Sequence, residues 1–168
     1  MYLLKIDNRM LPYKDVDTWN LEKENLLLFW KLKPYLKRTR LGFYTLTSNL
    51  GYWRKANQIH RWFVENVQDW ADDCGSYVVS KEKIKELLDI CYQVKDSITL
   101  VDNVENTKRI ADPAIAKKLL PTYDGFYFGS FDYDQCYAED INDTIEILEK
   151  VLKSVDFNKY SVLYHSSW

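Results

Sequence analysis

The spacing of apolar residues predicts two long amphipathic helices in the second half of the chain. One begins after Ser80, whose side chain can cap a helix, and the other opens at Asp140. Glu146 and Lys150 of the second helix have the spacing of an exposed ion pair. The inward stripes are Ile84, Leu87, Leu88, Cys91 and Val94, and Ile141, Ile145, Leu148, Val151 and Leu152.

Three further helices are predicted earlier in the chain and between these two. They run from Asp17 to Pro34, from about 49 to 67, and from Asp112 to Pro121. The segment 26–30, LLLFW, is apolar nearly all round. We therefore expect this segment to be buried or covered by a partner.

Short runs rich in aromatic and β-branched residues predict the strands. They are residues 1–6, 42–48, 77–80, 125–130 and 159–168, the last with the alternation of a half-buried strand. Helices and strands do not alternate regularly, which favours an α+β fold over a doubly wound one. We expect one compact domain, 1–168, with about five helices and a small sheet of four or five short strands. A helix-containing basic segment, 1–41, precedes the core, 42–168.

Charge is segregated along the chain. Residues 25–64 contain no Asp or Glu, so all 25 acidic residues lie outside this window. The window holds eight of the 23 basic residues: Lys31, Lys33, Lys37, Arg38, Arg40, Arg54, Lys55 and Arg61. Such segregation predicts an electropositive face that attracts anions. The net charge is only −2, which argues against a typical basic nucleic-acid module.

Other features exclude several classes of protein. The longest apolar runs are far shorter than the ~20 residues of a membrane span. Three widely spaced cysteines make neither a disulfide framework nor a zinc motif, so we expect a reducing cytoplasm. His60, Asp72, Asp73 and Cys74 match no metal-binding signature, and we expect no metal and no cofactor.

The helix predicted around residue 57 has three faces. Tyr52, Ala56, Ile59 and Phe63 form its core stripe, and Arg54, Gln58, Arg61 and Glu65 point outward. The boundary next to the core stripe holds Trp53, Asn57, His60 and Val64. Guanidinium groups pair with phosphate oxygens and indoles stack on bases. The candidate anion-binding residues are Arg54, Lys55, Gln58 and Arg61, with Trp53 and Trp62 as stacking platforms. The alternative is an ordinary amphipathic helix whose Trp residues seal the core.

A second candidate binding site, the wall of a pocket, lies among the aromatic residues of 123–137. Thr122, Phe126, Phe128 and Tyr133 could line a pocket for a planar ligand. The alternative is an aromatic core strand that leaves through an acidic turn.

Three segments carry a family resemblance: YWRKANQIHRWF, DDCGSYVVS and LLPTYDGFYFGS. They resemble a widespread family of small phage and prophage proteins, over roughly residues 49–155. That family has no assigned activity, so the resemblance implies a setting, the cytoplasm of an infected bacterium, and no catalytic residue. Small accessory phage proteins often inhibit host defences by binding.

Three hypotheses for the function follow. The first is a phage-encoded counter-defence protein that binds an anionic ligand, such as a nucleotide signal, or an acidic surface of a host defence protein. The second is an enzyme acting on a nucleotide or phosphoester, with His60 as acid or base and Asp72 and Asp73 as partners. The sequence contains no complete catalytic motif, which argues against this hypothesis. The third is nucleic-acid binding. Homo-oligomerisation is compatible with all three.

Overall fold

The computed structural model describes residues 1–42, 44–103, 107–123 and 130–167. It has an α+β fold built on a four-stranded antiparallel sheet of order β4-β1-β8-β5. Two further pairs, β2 with β3 and β6 with β7, are also antiparallel. The strands are β1 (Tyr2–Asp7), β2 (Lys37–Arg38), β3 (Tyr44–Thr45), β4 (Thr47–Tyr52), β5 (Ser76–Val79), β6 (Leu100–Asp102), β7 (Lys108–Ile110) and β8 (Tyr160–His165).

Six α-helices accompany the strands in the described residues. They are α1 (Leu21–Glu24), α2 (Leu26–Leu32), α3 (Asn57–Asn66), α4 (Lys81–Ser97), α5 (Ala114–Leu119) and α6 (Gln135–Ser154). Short 3-10 helices span Asn8–Tyr13 and Lys33–Tyr35. Ser80 caps α4 as predicted, accepting a hydrogen bond from the Lys83 amide. Helix α6 begins before Asp140, because Asp134 caps it by accepting from the Tyr137 amide.

Strand β8 lies in the middle of the sheet and is covered on both faces. Val162 and Tyr164 point into the larger core, whereas Leu163 points into the smaller one, and all three are fully buried. The strand predicted here is confirmed, but the expectation that only one of its faces is buried is wrong. Alternation in the sequence shows two faces but not that a second layer covers the outer one.

The larger core lies between the sheet and helices α3 to α6. The predicted inward stripes of α4 and α6 are confirmed, with Leu88 and Leu152 only half-buried. The smaller core joins the other face of β1 and β8 to the Asn8–Tyr13 helix, α1 and α2. The short helix after Asp112 is also confirmed as α5.

The predicted helix from 49 to 67 is wrong in its first part. Residues up to Tyr52 form β4, because they pair with β1, and the helix begins only at Asn57. Tyr52 therefore does not belong to a core stripe and is 49% exposed. The predicted strand 42–48 is divided between β3 and β4. The strand predicted at 125–130 lies almost wholly outside the described residues.

The first predicted helix is interrupted. The Asp17 carboxylate accepts from the Trp19 amide in a turn, and α1 starts only at Leu21. Asn25 then ends α1 and caps α2, accepting from the Leu28 amide. The interruption aims Phe29 of α2 into the smaller core and leaves much of this helix facing outward.

Candidate functional site

The predicted anion-binding residues before and on α3 do not form one face. Arg54 and Lys55 are exposed in the connection from β4, where Lys55 has a φ of 67°. Arg61 lies on α3, where its Nε donates to Glu65 at 2.5 Å and its guanidinium covers the Tyr123 ring at 5.4 Å. Two of the three cations are therefore open to an anion, and the third already has a carboxylate partner.

Gln58, Trp53 and Trp62 were predicted to face a ligand, and all three are buried. Gln58 Nε2 donates to Asp140 at 3.1 Å, so its outward orientation is wrong. Trp53 Nε1 donates to Thr144 at 2.9 Å. Because α6 and the chain before it pack across α3, the polar flank of α3 is an internal contact. Neither indole presents a ring face for stacking.

Tyr123 and Ser130 contact α3 through Asn57. The Asn57 side chain accepts from the Tyr123 amide at 3.0 Å and donates to the Ser130 carbonyl at 3.1 Å. The Thr122 amide donates to the Tyr133 hydroxyl at 3.2 Å. Thr122 and Tyr133 thus bind each other, as parts of a local network. Phe126 and Phe128 lie outside the described residues.

Asp140 is a partly buried carboxyl at this junction. Burial is the main cause that raises its pKa from 3.8 to about 6. The hydrogen bond from Gln58 opposes this rise, and the nearby carboxylates of Asp143 and Asp134 add to it. The group is therefore half-protonated near pH 6.

The imidazole of His60 connects three parts of the fold. Its Nδ1 lies 2.7 Å from the Tyr164 hydroxyl on β8, and its Nε2 lies 3.2 and 3.3 Å from the carboxylate oxygens of Asp72. Because a carboxylate can only accept, Nε2–H donates to Asp72 and the Tyr164 hydroxyl donates to Nδ1. Burial lowers the pKa of His60, against the effect of Asp72, so the imidazole is neutral.

This geometry suits a structural role better than an acid–base role. A general base must reach a proton of the substrate. His60 has no exposed surface, and both of its ring nitrogens already have protein partners. Asp73 does not join it, since its carboxylate accepts from the Gly75 amide at 2.8 Å and the Tyr77 hydroxyl at 2.9 Å. Of the predicted catalytic residues, the structure brings His60 and Asp72 together and leaves Asp73 apart.

A cleft at the opposite end of the central sheet has the chemistry that the α3 region lacks. Its volume is about 290 Å³. We call it the basic cleft, and its lining residues are Lys5, Asp7, Arg9, Pro34, Tyr35, Leu36, Lys37, Leu46 and Tyr160. Three cations thus face a single carboxylate.

Asp7 orients the guanidinium of Arg9. Nε donates to one carboxylate oxygen at 2.9 Å and Nη2 to the other at 2.6 Å. These bonds lower the pKa of Asp7 to about 2. Nη1 has no acceptor among the residues described, so its N–H groups remain available to a ligand.

Two tyrosines complete the basic cleft. Arg9 lies over the ring of Tyr35 at 4.9 Å, and Lys5 lies over the ring of Tyr160 at 4.7 Å. Lys37 donates to the Ser48 hydroxyl. The cleft therefore presents oriented cations beside aromatic rings, a combination that suits an anion with a planar group.

The acid-free window of the sequence is divided in space by β4. Lys37 contacts Ser48 near the start of β4, whereas Arg54 follows its end at Tyr52. Ser48 and Tyr52 are four residues apart, roughly 13 Å along a strand. The window therefore supplies two separate basic surfaces.

Sequence reasoning missed Lys5, Arg9, Tyr35 and Tyr160. Alternation along β1 puts Lys5 and Asp7 on one face and offered a local signal. The position of Tyr160 opposite Asp7 depends on the pairing of β1 with β8, which no local pattern encodes.

The remaining chemistry of the described residues is sparse. All three cysteines are thiols, and burial raises the pKa of Cys91 to about 12. No group of His, Cys, Asp and Glu within the described ranges could hold a metal ion. Those ranges also contain no helix of the length and apolarity that a bilayer span requires.

Comparisons of the chain with family profiles, with curated proteins and with solved structures found no match.

Proposed function

We propose that the protein binds a small anionic ligand, a nucleotide, in the basic cleft. The observation that carries this proposal is the meeting of Lys5, Arg9 and Lys37 around one carboxylate. Arginine and lysine bind phosphate oxygens through charge-assisted hydrogen bonds. In this proposal, the rings of Tyr35 and Tyr160 would contact the base or ribose beside the cations that lie over them.

The basic cleft supports binding rather than turnover. Its lining contains no histidine or cysteine, and its carboxylate is held by Arg9 with a low pKa. Such a carboxylate is a poor proton acceptor near neutral pH. A protein that sequesters its ligand needs affinity and no catalytic group.

The biological setting of the proposal comes from the sequence resemblance to phage and prophage proteins. In that setting the protein acts in the cytoplasm of the infected host. It would withdraw a nucleotide signal from a host defence system. Direct nucleic-acid binding is less well supported, because the basic surfaces are separated and the net charge is −2.

Calorimetry against a panel of cyclic, linear and ADP-ribose-type nucleotides tests the proposal. We expect one member of the panel to bind the wild-type chain. Arg9→Met and Lys37→Met should each weaken its binding by roughly 10- to 150-fold, since one charge-assisted hydrogen bond contributes on the order of 1.5–3 kcal/mol. Raising the salt concentration should weaken nucleotide binding by the wild-type chain.

Arg54→Met is the matched control, because it removes one exposed cation beyond the other end of β4. It should leave the affinity unchanged. Loss of binding in Arg54→Met with retention in Arg9→Met would move the site to the connection between β4 and α3. No binding by any nucleotide of the panel would refute the proposed function.

A further inference from the structure

Helix α2 exposes an apolar face that the fold leaves uncovered. Leu26 is 56%, Leu27 87% and Trp30 57% exposed. These positions lie within one turn and share one side of the helix, whereas Phe29 and Leu32 point into the smaller core. We call Leu26, Leu27 and Trp30 the α2 face. A cluster of large apolar side chains in water is typical of an interaction surface.

Positive charge borders the α2 face. The Lys33 ammonium lies 3.9 Å from the centre of the Trp30 ring, and Lys31 donates to the Tyr13 hydroxyl at 2.5 Å. None of the basic residues nearby in sequence has a carboxylate partner within the described part of the chain. These residues are Lys23, Lys31, Lys33, Arg38 and Arg40. The surface thus combines apolar contact area with uncompensated cations.

We propose that the α2 face is the docking surface for an acidic amphipathic segment of a partner protein. Its apolar side chains would cover Leu27 and Trp30, and its carboxylates would pair with Lys31 and Lys33. Pairing a carboxylate with Lys33 above the Trp30 ring couples the ionic and aromatic contacts at one point. This surface is separate from the basic cleft and does not depend on nucleotide binding.

Charge complementarity favours an acidic segment over two other occupants of the α2 face, a second copy of the chain and an anionic bilayer. A second copy meeting the α2 face through a two-fold axis would oppose lysines to lysines, which is repulsive. An anionic bilayer would meet the exposed carboxylates of Glu22 and Glu24 on the adjoining helix α1. A short acidic segment that lies along α2 can pair with Lys31 and Lys33 without extending over Glu22 and Glu24, whereas a bilayer surface is too broad to avoid them.

The probe is a synthetic amphipathic helix of leucine and glutamate, titrated into the ¹⁵N-labelled full chain. We expect amide shifts concentrated in α1 and α2. Leu27→Ser with Trp30→Ser should weaken binding at least about tenfold, and Lys33→Glu should do so as well. A peptide with lysine in place of every glutamate should bind at least about tenfold more weakly.

Leu41→Ser is the matched control, because Leu41 is 83% exposed but lies outside α2. All four substituted positions are exposed, so thermal denaturation should show that the variants remain folded. Equal binding of the glutamate and lysine peptides, shifts centred elsewhere, or no binding would each overturn the proposal. So would α2-dependent binding to phosphatidylglycerol–phosphatidylethanolamine vesicles, or α2-dependent self-association in sedimentation, in place of peptide binding.

Discussion

Individual buried polar residues explain why α3 differs from the prediction. Gln58 and His60 have the helical spacing of a solvent-facing and a boundary residue, yet both are buried. Each finds a partner that is remote in sequence, Asp140 for Gln58 and Tyr164 for His60. A buried polar side chain is tolerated when such partners satisfy it, and these partners cannot be read from local spacing.

Asp140 predicts a pH-dependent stability. Its folded pKa of about 6 exceeds the ordinary 3.8, so the native state loses stability as pH rises from about 4 to about 6. Asp140→Asn keeps an acceptor for Gln58 without the charge. We expect this variant to be about 1–2 kcal/mol more stable than wild type at pH 7.5 and equally stable at pH 4, measured by urea unfolding.

The control for that experiment is Glu146→Gln, which removes an exposed carboxylate from the same helix. It should change stability little at either pH. A stability difference between Asp140→Asn and wild type that stays constant from pH 4 to 7.5 would contradict the interpretation.

The hydroxyl of Tyr164 predicts a second stability effect. Tyr164→Phe preserves the ring stacked on Phe63 at 4.0 Å but removes the hydroxyl that donates to Nδ1 of His60. We expect a loss of about 1–3 kcal/mol in urea unfolding at pH 8. Tyr2→Phe is the control, since the Tyr2 hydroxyl has no hydrogen-bond partner in the described segments. Equal stability of the two variants would show that the His60 network contributes nothing.

His60 also affects the acid side of the stability profile. Its pKa is lowered by burial, so the unfolded chain takes up a proton that the native state does not. Stability therefore falls as pH drops below about 6.5. This effect opposes that of Asp140, which favours the native state at lower pH.

At the scale of elements, β4 and α6 are packed unusually closely at Gly51. A Cβ placed on Gly51 would overlap Cγ2 of Ile147. We expect Gly51→Ala to cost about 1–3 kcal/mol in thermal or urea unfolding. Ile147→Ala should relieve the overlap, so the double variant should be more stable than the sum of the two single effects predicts. Strict additivity would show that the contact at Gly51 relaxes freely.

Elements with strong periodicity could be predicted, and those fixed by remote pairing could not. Helices α4 and α6 repeat apolar residues over several turns, and Ser80 marks the start of one of them. In contrast, the second part of β4, from residue 49, was predicted as helix, because these residues gain their structure from pairing with β1. The break at Asn25 was missed because a residue that caps one helix can also sit inside another.

The prediction of the anion-binding site was limited in the same way, because the site depends on contacts between residues remote in sequence. Arg54 and Lys55 are exposed as their charge suggests, but the basic cleft assembles from β1, β8 and the chain around 34–37. Its residues are separated by up to 155 positions, from Lys5 to Tyr160. Charge counting along the sequence therefore included Lys37 of the basic cleft but neither Lys5 nor Arg9.

At the scale of the whole molecule, charge and apolar surface are distributed over distinct regions. The basic cleft lies at one end of the central sheet, Arg54 and Lys55 follow the other end of β4, and the α2 face covers the outer side of the smaller core. The two proposed sites share no residue, so we expect a bound anion not to block binding of a partner protein. Substitution of Arg9 should not change the affinity for the partner segment, and substitution of Leu27 should not change the affinity for the anion.

The central position of β8 has a consequence for biosynthesis. The ribosome makes β1 first, but β1 gains its β8 neighbour only after residue 165 has been synthesised. Until then, β1 and β4 form an incomplete sheet, in which β1 has an open edge at the position where β8 will pair. Pairing across such a distance in sequence is slow. We therefore expect the nascent chain to be prone to aggregation until β8 has been synthesised.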